Sequence, residues 1–220
     1  VTGGATFSIK NNTLYLTIPA SDKQHTVALA AWTGKTTTDA IATAVKGFAP
    51  LTDSIKGGKS RFTTVAPITT KGKLSKKKTP YVTDKITLPH ENPFGFTMRV
   101  GAFDFYPDGN SLAFSTWDGD VWKVTGTSGN LEKIEYQLIA TGLHEPLGLT
   151  IVDNTIYTVG NDQITKHHDL NGDGETDFFE TFNNDWKVNK GFHVFSFDLQ
   201  TDSNGDFWFS QGSPVRAGGR

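Results

Sequence analysis

The residues best placed to do chemistry lie in one run: Asp169-Leu-Asn171-Gly-Asp173-Gly174-Glu175-Thr-Asp177-Phe-Phe-Glu180. Asp169, Asn171, Asp173, Asp177 and Glu180 fall at positions 1, 3, 5, 9 and 12 of a calcium-loop pattern, and Gly174 at position 6 permits a sharp turn. Calcium is a hard cation that takes roughly six to eight oxygen ligands, and alternating Asp and Asn on a tight loop supplies them. The main-chain carbonyl of Glu175 would serve at position 7. The candidate metal residues are therefore Asp169, Asn171, Asp173, Glu175, Asp177 and Glu180. The competing reading is a polar hairpin turn rich in Asp, Asn and Gly.

The elements that must position this run are strands. Asn154–Gly160 and Gln163–His167 are short, β-branched and aromatic, and bounded by Gly and Asn. An EF-hand would need a helix on each side. The run is expected to join strands and to stiffen a long connection.

The surrounding sequence repeats. Phe103-Asp-Phe105, Leu149-Thr-Ile151 and Phe197-Asp-Leu199 each lead into an Asp/Asn/Gly turn and a further strand, with starts 46 and then 48 residues apart. Several short strands per unit, with a period in the forties, is the pattern of propeller blades, because one blade cannot bury both faces alone. An ordinary antiparallel sandwich with similar turns is the alternative. The expected fold class is all-β: a partial β-propeller, about three blades of a six-bladed ring, preceded by a small β-rich region with one short helix. Residues 1–52 form that region, with strands at Ala5–Lys10 and Thr13–Ile18 around an Asn11-Asn12 turn, a third strand at Thr26–Trp32, and a helix capped at Thr38-Asp39 and stopped at Gly47. Residues 53–84 form a basic Gly/Ser/Thr/Lys linker, and residues 85–220 carry the blades. Three units do not close a ring, so the remaining blades are expected in the same or another chain, and Ser213–Arg220 reads as a loop leaving a blade.

Composition narrows the function. Net charge is −2, so no global field points to nucleic acid. The charge is uneven: between Asp53 and Asp84 there are eight bases and no acid, whereas twenty of the 23 acids lie from Asp84 onward. The basic stretch is expected to be a solvated loop that docks on the acidic half. The absence of cysteine excludes disulfides and zinc-thiolate sites within the chain. No stretch is apolar enough to span a membrane. The chain begins at Val1 with no visible leader, as a processed chain would, and an oxygen-rich calcium loop suits a secreted or periplasmic setting.

Three motif groups carry a resemblance: Gly142-Leu-His-Glu-Pro-Leu-Gly-Leu149 with Asp153, Tyr157 and Asp162-Gln-Ile; Arg99-Val-Gly-Ala-Phe-Asp-Phe-Tyr-Pro-Asp-Gly109 with Thr116-Trp-Asp-Gly-Asp-Val-Trp122; and His168-Asp-Leu-Asn-Gly-Asp-Gly174. Over residues 85–220 the chain resembles glucose/sorbosone dehydrogenase-type β-propellers. The closest branch is the large secreted, membrane-bound-dehydrogenase-like propeller proteins of planctomycete- and verrucomicrobia-type bacteria, often fused to a cytochrome c domain. The resemblance implies a six-bladed propeller, calcium, and pyrroloquinoline quinone (PQQ) oxidising a sugar, with an electron-transfer partner. It places His193 at the catalytic position, as a general base of near-neutral pKa. Where the family carries a Gly-Gly-Arg-like run after this His, the chain has Val194, Phe195 and Ser196, and Phe192 replaces the preceding acid.

Other candidates follow from residue type. His144, beside Glu145, lies in a loop entering a blade and is a candidate substrate contact. Trp117 and Trp186 sit beside Asp118 and Asp185, a pairing suited to sugar stacking with hydroxyl recognition. Asp104 and Asp198 hold equivalent places and are expected to bond backbone within their own units. The function reading is a calcium-binding secreted β-propeller, resembling quinone sugar dehydrogenases, that acts on or binds carbohydrate. The alternatives are a non-catalytic carbohydrate- or protein-binding assembly module and, more weakly, a glycan-cleaving enzyme.

Overall fold

The computed structural model describes residues 4–22, 27, 33–47, 54–62, 65, 68–188 and 194–212. The expected strand at Thr26–Trp32, apart from Val27, lies outside the described residues, as do His193 and Ser213–Arg220. The chain divides into two compact units, Val1–Ile55 and Lys56–Arg220.

In the first unit, β1 (Thr6–Lys10) pairs antiparallel with β2 (Thr13–Thr17). The turn residues Asn11 and Asn12 take φ of 49° and 63°, as a type I′ hairpin turn demands, and Asn tolerates that region better than most residues. The helix α1 (Thr38–Lys46) starts one residue earlier than the sequence suggests: Thr37 is the N-cap, and its hydroxyl accepts the Ala40 N–H. Asp39 in the first turn and Lys46 in the last complement the helix dipole.

The second unit is built of antiparallel sheets, so the all-β expectation holds at that level. The first sheet contains β3 (Ile68–Thr70), β4 (Val100–Phe105), β5 (Ser111–Thr116), β6 (Val121–Thr125) and β7 (Ile134–Ala140), in the order β3-β7-β6-β5-β4. The second contains β8 (Gly148–Val152), β9 (Thr155–Val159), β10 (Ile164–His168) and β11 (Phe178–Asn183), in the order β11-β10-β9-β8. β12 (Phe195–Thr201) and β13 (Phe207–Gly212) form a further pair. Asp153-Asn154, with φ of 48° and 62°, turns β8 into β9 by the same device as the first hairpin.

These sheets lie face to face. Both faces of β5 and β6 are buried, so alternate residues serve different cores. Leu112, Phe114, Trp122, Val124, Tyr136 and Leu138 form one core. Ala113, Val121, Ile139, Leu149 and Ile156 form another, between the first and second sheets. Tyr157, Val159, Ile164 and Leu199 form the third, between the second sheet and β12–β13. At each junction the starting strands approach closely, with β8 against both β4 and β12. Glycine makes this possible. A Cβ on Gly101 would meet the Pro146 carbonyl oxygen at 2.8 Å, and one on Gly148 would meet the Asp198 carbonyl oxygen at 2.4 Å. Each glycine lies at the start of the first strand of its unit.

Two expectations need correction. The basic stretch is not a solvated loop throughout, since it contributes β3, which pairs with β7; it does dock on the acidic half, with Gly58, Ser60, Arg61 and Phe62 fastened to the acidic loop. Asp104 does not bond only within its unit: its carboxylate accepts the N–H of Ile151 at 2.8 Å and the Thr150 hydroxyl at 3.3 Å, tying β4 to β8. The Asp198 carboxylate does stay local, although its main-chain N–H donates to the Leu147 carbonyl at 3.2 Å. The residue sits with φ of 56° at a bulge in β12 and accepts the N–H of Leu199.

Candidate functional site

The acidic run forms the connection between β10 and β11, which confirms strands rather than helices on either side. The loop is shorter than twelve residues, because Phe178, Phe179 and Glu180 are already in β11, opposite His168, His167 and Lys166. Two phenylalanines in succession favour the pleated edge over a loop.

The loop is wound around Asp169. One carboxylate oxygen accepts the N–H groups of Gly172 at 2.7 Å and Asp173 at 3.2 Å, and the other accepts that of Gly174 at 2.8 Å. Asn171 accepts the N–H of Asp173 at 2.9 Å, and Asp173 that of Glu175 at 2.9 Å. Gly172 and Gly174 take φ of 78° and 84°, which side chains disfavour. Asp177 closes the loop by accepting the Leu170 N–H at 2.9 Å. The side chains at positions 1, 3, 5 and 9 are thus held on one short loop by its own backbone.

The other two candidates are committed elsewhere. Glu175 is 4% exposed. Its carboxylate accepts the Ser60 hydroxyl at 2.7 Å, the Arg61 N–H at 2.6 Å and the Phe62 N–H at 3.3 Å, and pairs with the Arg61 guanidinium. Burial alone would push its pKa up, but the hydrogen bonds from Ser60 and Arg61 and the charge of Arg61 outweigh it and hold the carboxyl below its ordinary value. Glu180 meets His168 Nε2 at 2.6 Å. Neither carboxylate joins Asp169, and no cluster of three His, Cys, Asp or Glu side chains in metal-holding placement occurs among the described residues. The donor set itself, three aspartates and an asparagine with no nitrogen or sulfur ligand, fits a hard cation. A calcium ion here would be held by Asp169, Asn171, Asp173 and Asp177 with the Glu175 main-chain carbonyl, and would supply charge neutralisation of the loop.

The remaining candidates lie at the ends of β4, β8 and β12 where the chain enters each strand. Trp117 packs edge-on against Phe195, with ring centroids 4.9 Å apart, and the Arg99 guanidinium lies 5.6 Å from its ring centre. Arg99 also pairs with Asp118. His144 is exposed and borders a cavity of about 230 Å³ with Asp162, Gln163 and Thr165. Its neighbour Glu145, with φ of 49°, accepts from the Asn161 side-chain amide, and Asn161 in turn accepts the N–H of Ser196. Trp186 is a packing residue: its indole N–H donates to the Asn161 carbonyl at 3.2 Å and its ring lies 4.7 Å from that of Phe209. Asn161, and the pairing of Arg99 with Asp118, were not singled out from the sequence. Their partners lie 16 or more residues away, and no local pattern reveals them. Comparison of the chain with family models, curated proteins and solved structures gives no match.

Proposed function

We propose that the chain is part of a calcium-binding β-propeller of an exported, secreted or periplasmic protein, and that it binds carbohydrate at the strand-entry end. The observation that carries this reading is the winding of residues 169–174 around the Asp169 carboxylate, which holds Asn171 and Asp173 on the same short loop. Three successive antiparallel units, with β8 packed against both β4 and β12 and a glycine at each close approach, support the propeller architecture. Trp117 with Arg99 and Asp118, and exposed His144 beside Glu145 and Asn161, supply the aromatic and polar groups that a sugar would meet.

Quinone chemistry is less well supported by the residues present. PQQ carries carboxylates that call for cationic clamps. Of the two arginines among the described residues, Arg61 is spent on Glu175 and Arg99 on Asp118. The proposal therefore commits to a binding role, with a sugar dehydrogenase and its electron-transfer partner as the alternative. A second reading, an assembly module, is favoured by the exposed Phe103 and Phe105 on β4 and Trp208 on β13, which further blades would cover. Calorimetric titration with calcium, followed by a glycan array with and without Trp117→Ala, tests the proposal. Absence of calcium binding removes its first half, and glycan binding that ignores Trp117 removes its second.

A further inference from the structure

The second sheet has a neighbour on each face, through the two inter-sheet cores. Among the described residues of the second unit, the first sheet has a neighbouring sheet on one face only. Its other face presents Leu112, Phe114, Trp122, Val124, Tyr136 and Leu138, where the next sheet of a stack would sit. Apart from Ile68 of β3 at its margin, that face is instead covered by irregular chain, through Phe62, Ile86, Leu88, Phe94 and Phe96, and Trp122 is 0% exposed.

The cover is built by specific bonds. Asn92 accepts the N–H groups of Phe94 and Phe96 and donates to the Pro89 and Phe96 carbonyls, which fixes the segment carrying the two rings. The Phe94 ring lies 5.8 Å from Trp122, 5.6 Å from Phe96 and 6.1 Å from Phe62. The Thr87 carbonyl accepts the Tyr136 hydroxyl at 2.8 Å and the Thr70 hydroxyl at 2.7 Å. Gly72 donates to the Leu131 carbonyl at 2.8 Å, and a Cβ there would strike the Leu131 side chain at 2.8 Å. At Phe62 the cover meets a second fastening, because the Phe62 N–H reaches Glu175 on the β10–β11 connection. Gly58 adds bonds to Asp177 and Asn171 on that same connection.

We propose that residues 57–62 and 71–98 form a latched cap that takes the place of a neighbouring sheet on the outer face of β5–β7, with Glu175 as its latch. The cap makes the first sheet the end of the stack, and a ring closed through this face requires the cap to leave. The buried carboxylate gathers four donors from Ser60, Arg61 and Phe62, so replacing it by a neutral amide leaves donors without an acceptor and weakens the cap first. The latch uses the Glu175 side chain, whereas a cation in the loop would take its main-chain carbonyl.

The cysteine-free chain gives a clean test with single thiols. Leu138→Cys places a thiol on the capped face, and Ile139→Cys places one on the face toward the second sheet. In the full chain both thiols should react with a disulfide reagent at least about a hundredfold more slowly than in the urea-unfolded chain. Adding Glu175→Gln should speed Leu138→Cys by roughly tenfold or more and leave Ile139→Cys unchanged. A Leu138→Cys thiol that reacts like unfolded chain, or a Glu175→Gln effect that is absent or equal for both thiols, overturns the proposal. Hydrogen exchange on unsubstituted cores reads the same event if a thiol variant does not fold. The amides of Gly72, Lys73, Lys85, Phe94 and Phe96 should be protected, and Glu175→Gln should release them together while β9 stays protected. Free exchange at those amides without the substitution, or no release with it, overturns the proposal equally.

Discussion

Acidification should destabilise the second unit through one histidine. His167 on β10 is 7% exposed. Its ring nitrogens face the hydroxyls of Thr158 at 3.0 Å and Thr176 at 3.2 Å, and the ring packs against Phe179 at 5.5 Å. A neutral ring satisfies both hydroxyls by donating to one and accepting from the other, whereas an imidazolium buries its charge without a counter-ion. Burial, with a smaller contribution from His168, lowers its pKa from 6.5 to about 4. The unfolded chain takes up this proton near pH 6.5, while the folded chain resists it to about pH 4, so stability is complete above 6.5 and falls as pH drops through that window. Each pH unit inside the window costs about 1.4 kcal/mol, so moving from pH 7 to pH 5 removes about 2 kcal/mol through this residue alone. Carboxylates titrate too, so the comparison is with His167→Gln, which keeps a donor and an acceptor but does not titrate. Urea denaturation of both proteins at pH 7 and pH 5 should show the larger loss in the unsubstituted chain, by about 2 kcal/mol. Equal losses, or a His167 pKa above 6 in the folded chain by NMR titration, would refute the reasoning.

Calcium should raise the unfolding temperature, with the stabilisation reaching about 2.7 kcal/mol at a hundredfold excess over its Kd, and Asp169→Ala should abolish the shift; a shift that survives the substitution contradicts the assignment of the loop. Gly148→Ala should cost about 1–3 kcal/mol in urea denaturation, because its Cβ would meet the Asp198 carbonyl oxygen at 2.4 Å and Val159 Cγ1 at 2.5 Å, forcing β8 from β12. Gly172→Ala, with nothing within 4 Å of its Cβ, should cost only the backbone strain of φ 78°, about 1–2 kcal/mol. Trp186→Ala should lower stability without altering glycan binding, since its ring is spent on Phe209 and its N–H on Asn161; a selective loss of glycan binding would return it to the binding surface.

Sequence alone located the strands wherever local chemistry was sufficient. Asn11-Asn12 and Asp153-Asn154 specify hairpin turns because two adjacent positive φ values suit those residues, and the forty-odd-residue recurrence announced stacked sheets. The same logic identified the acidic loop, since Asp and Asn at alternate positions bond their own backbone within a few residues. β7 was not marked, because Ile134–Ala140 carries no turn signal or strict alternation beyond what its buried neighbours impose. The helix N-cap moved to Thr37 because adjacent threonines are equivalent until the backbone turns.

Roles decided across long distances were invisible to spacing. Glu175 and Glu180 sit in the metal pattern, yet Glu175 belongs to Ser60, Arg61 and Phe62 more than a hundred residues earlier, and Glu180 points to His168 across a strand pair. Asp104, read as local, bridges two sheets. Residue type and short-range spacing determined which groups could accept hydrogen bonds or ligate a cation. Only the packing of sheet on sheet and cap on sheet determined which partner each carboxylate has, because a buried charge takes whatever donors the tertiary structure brings to it.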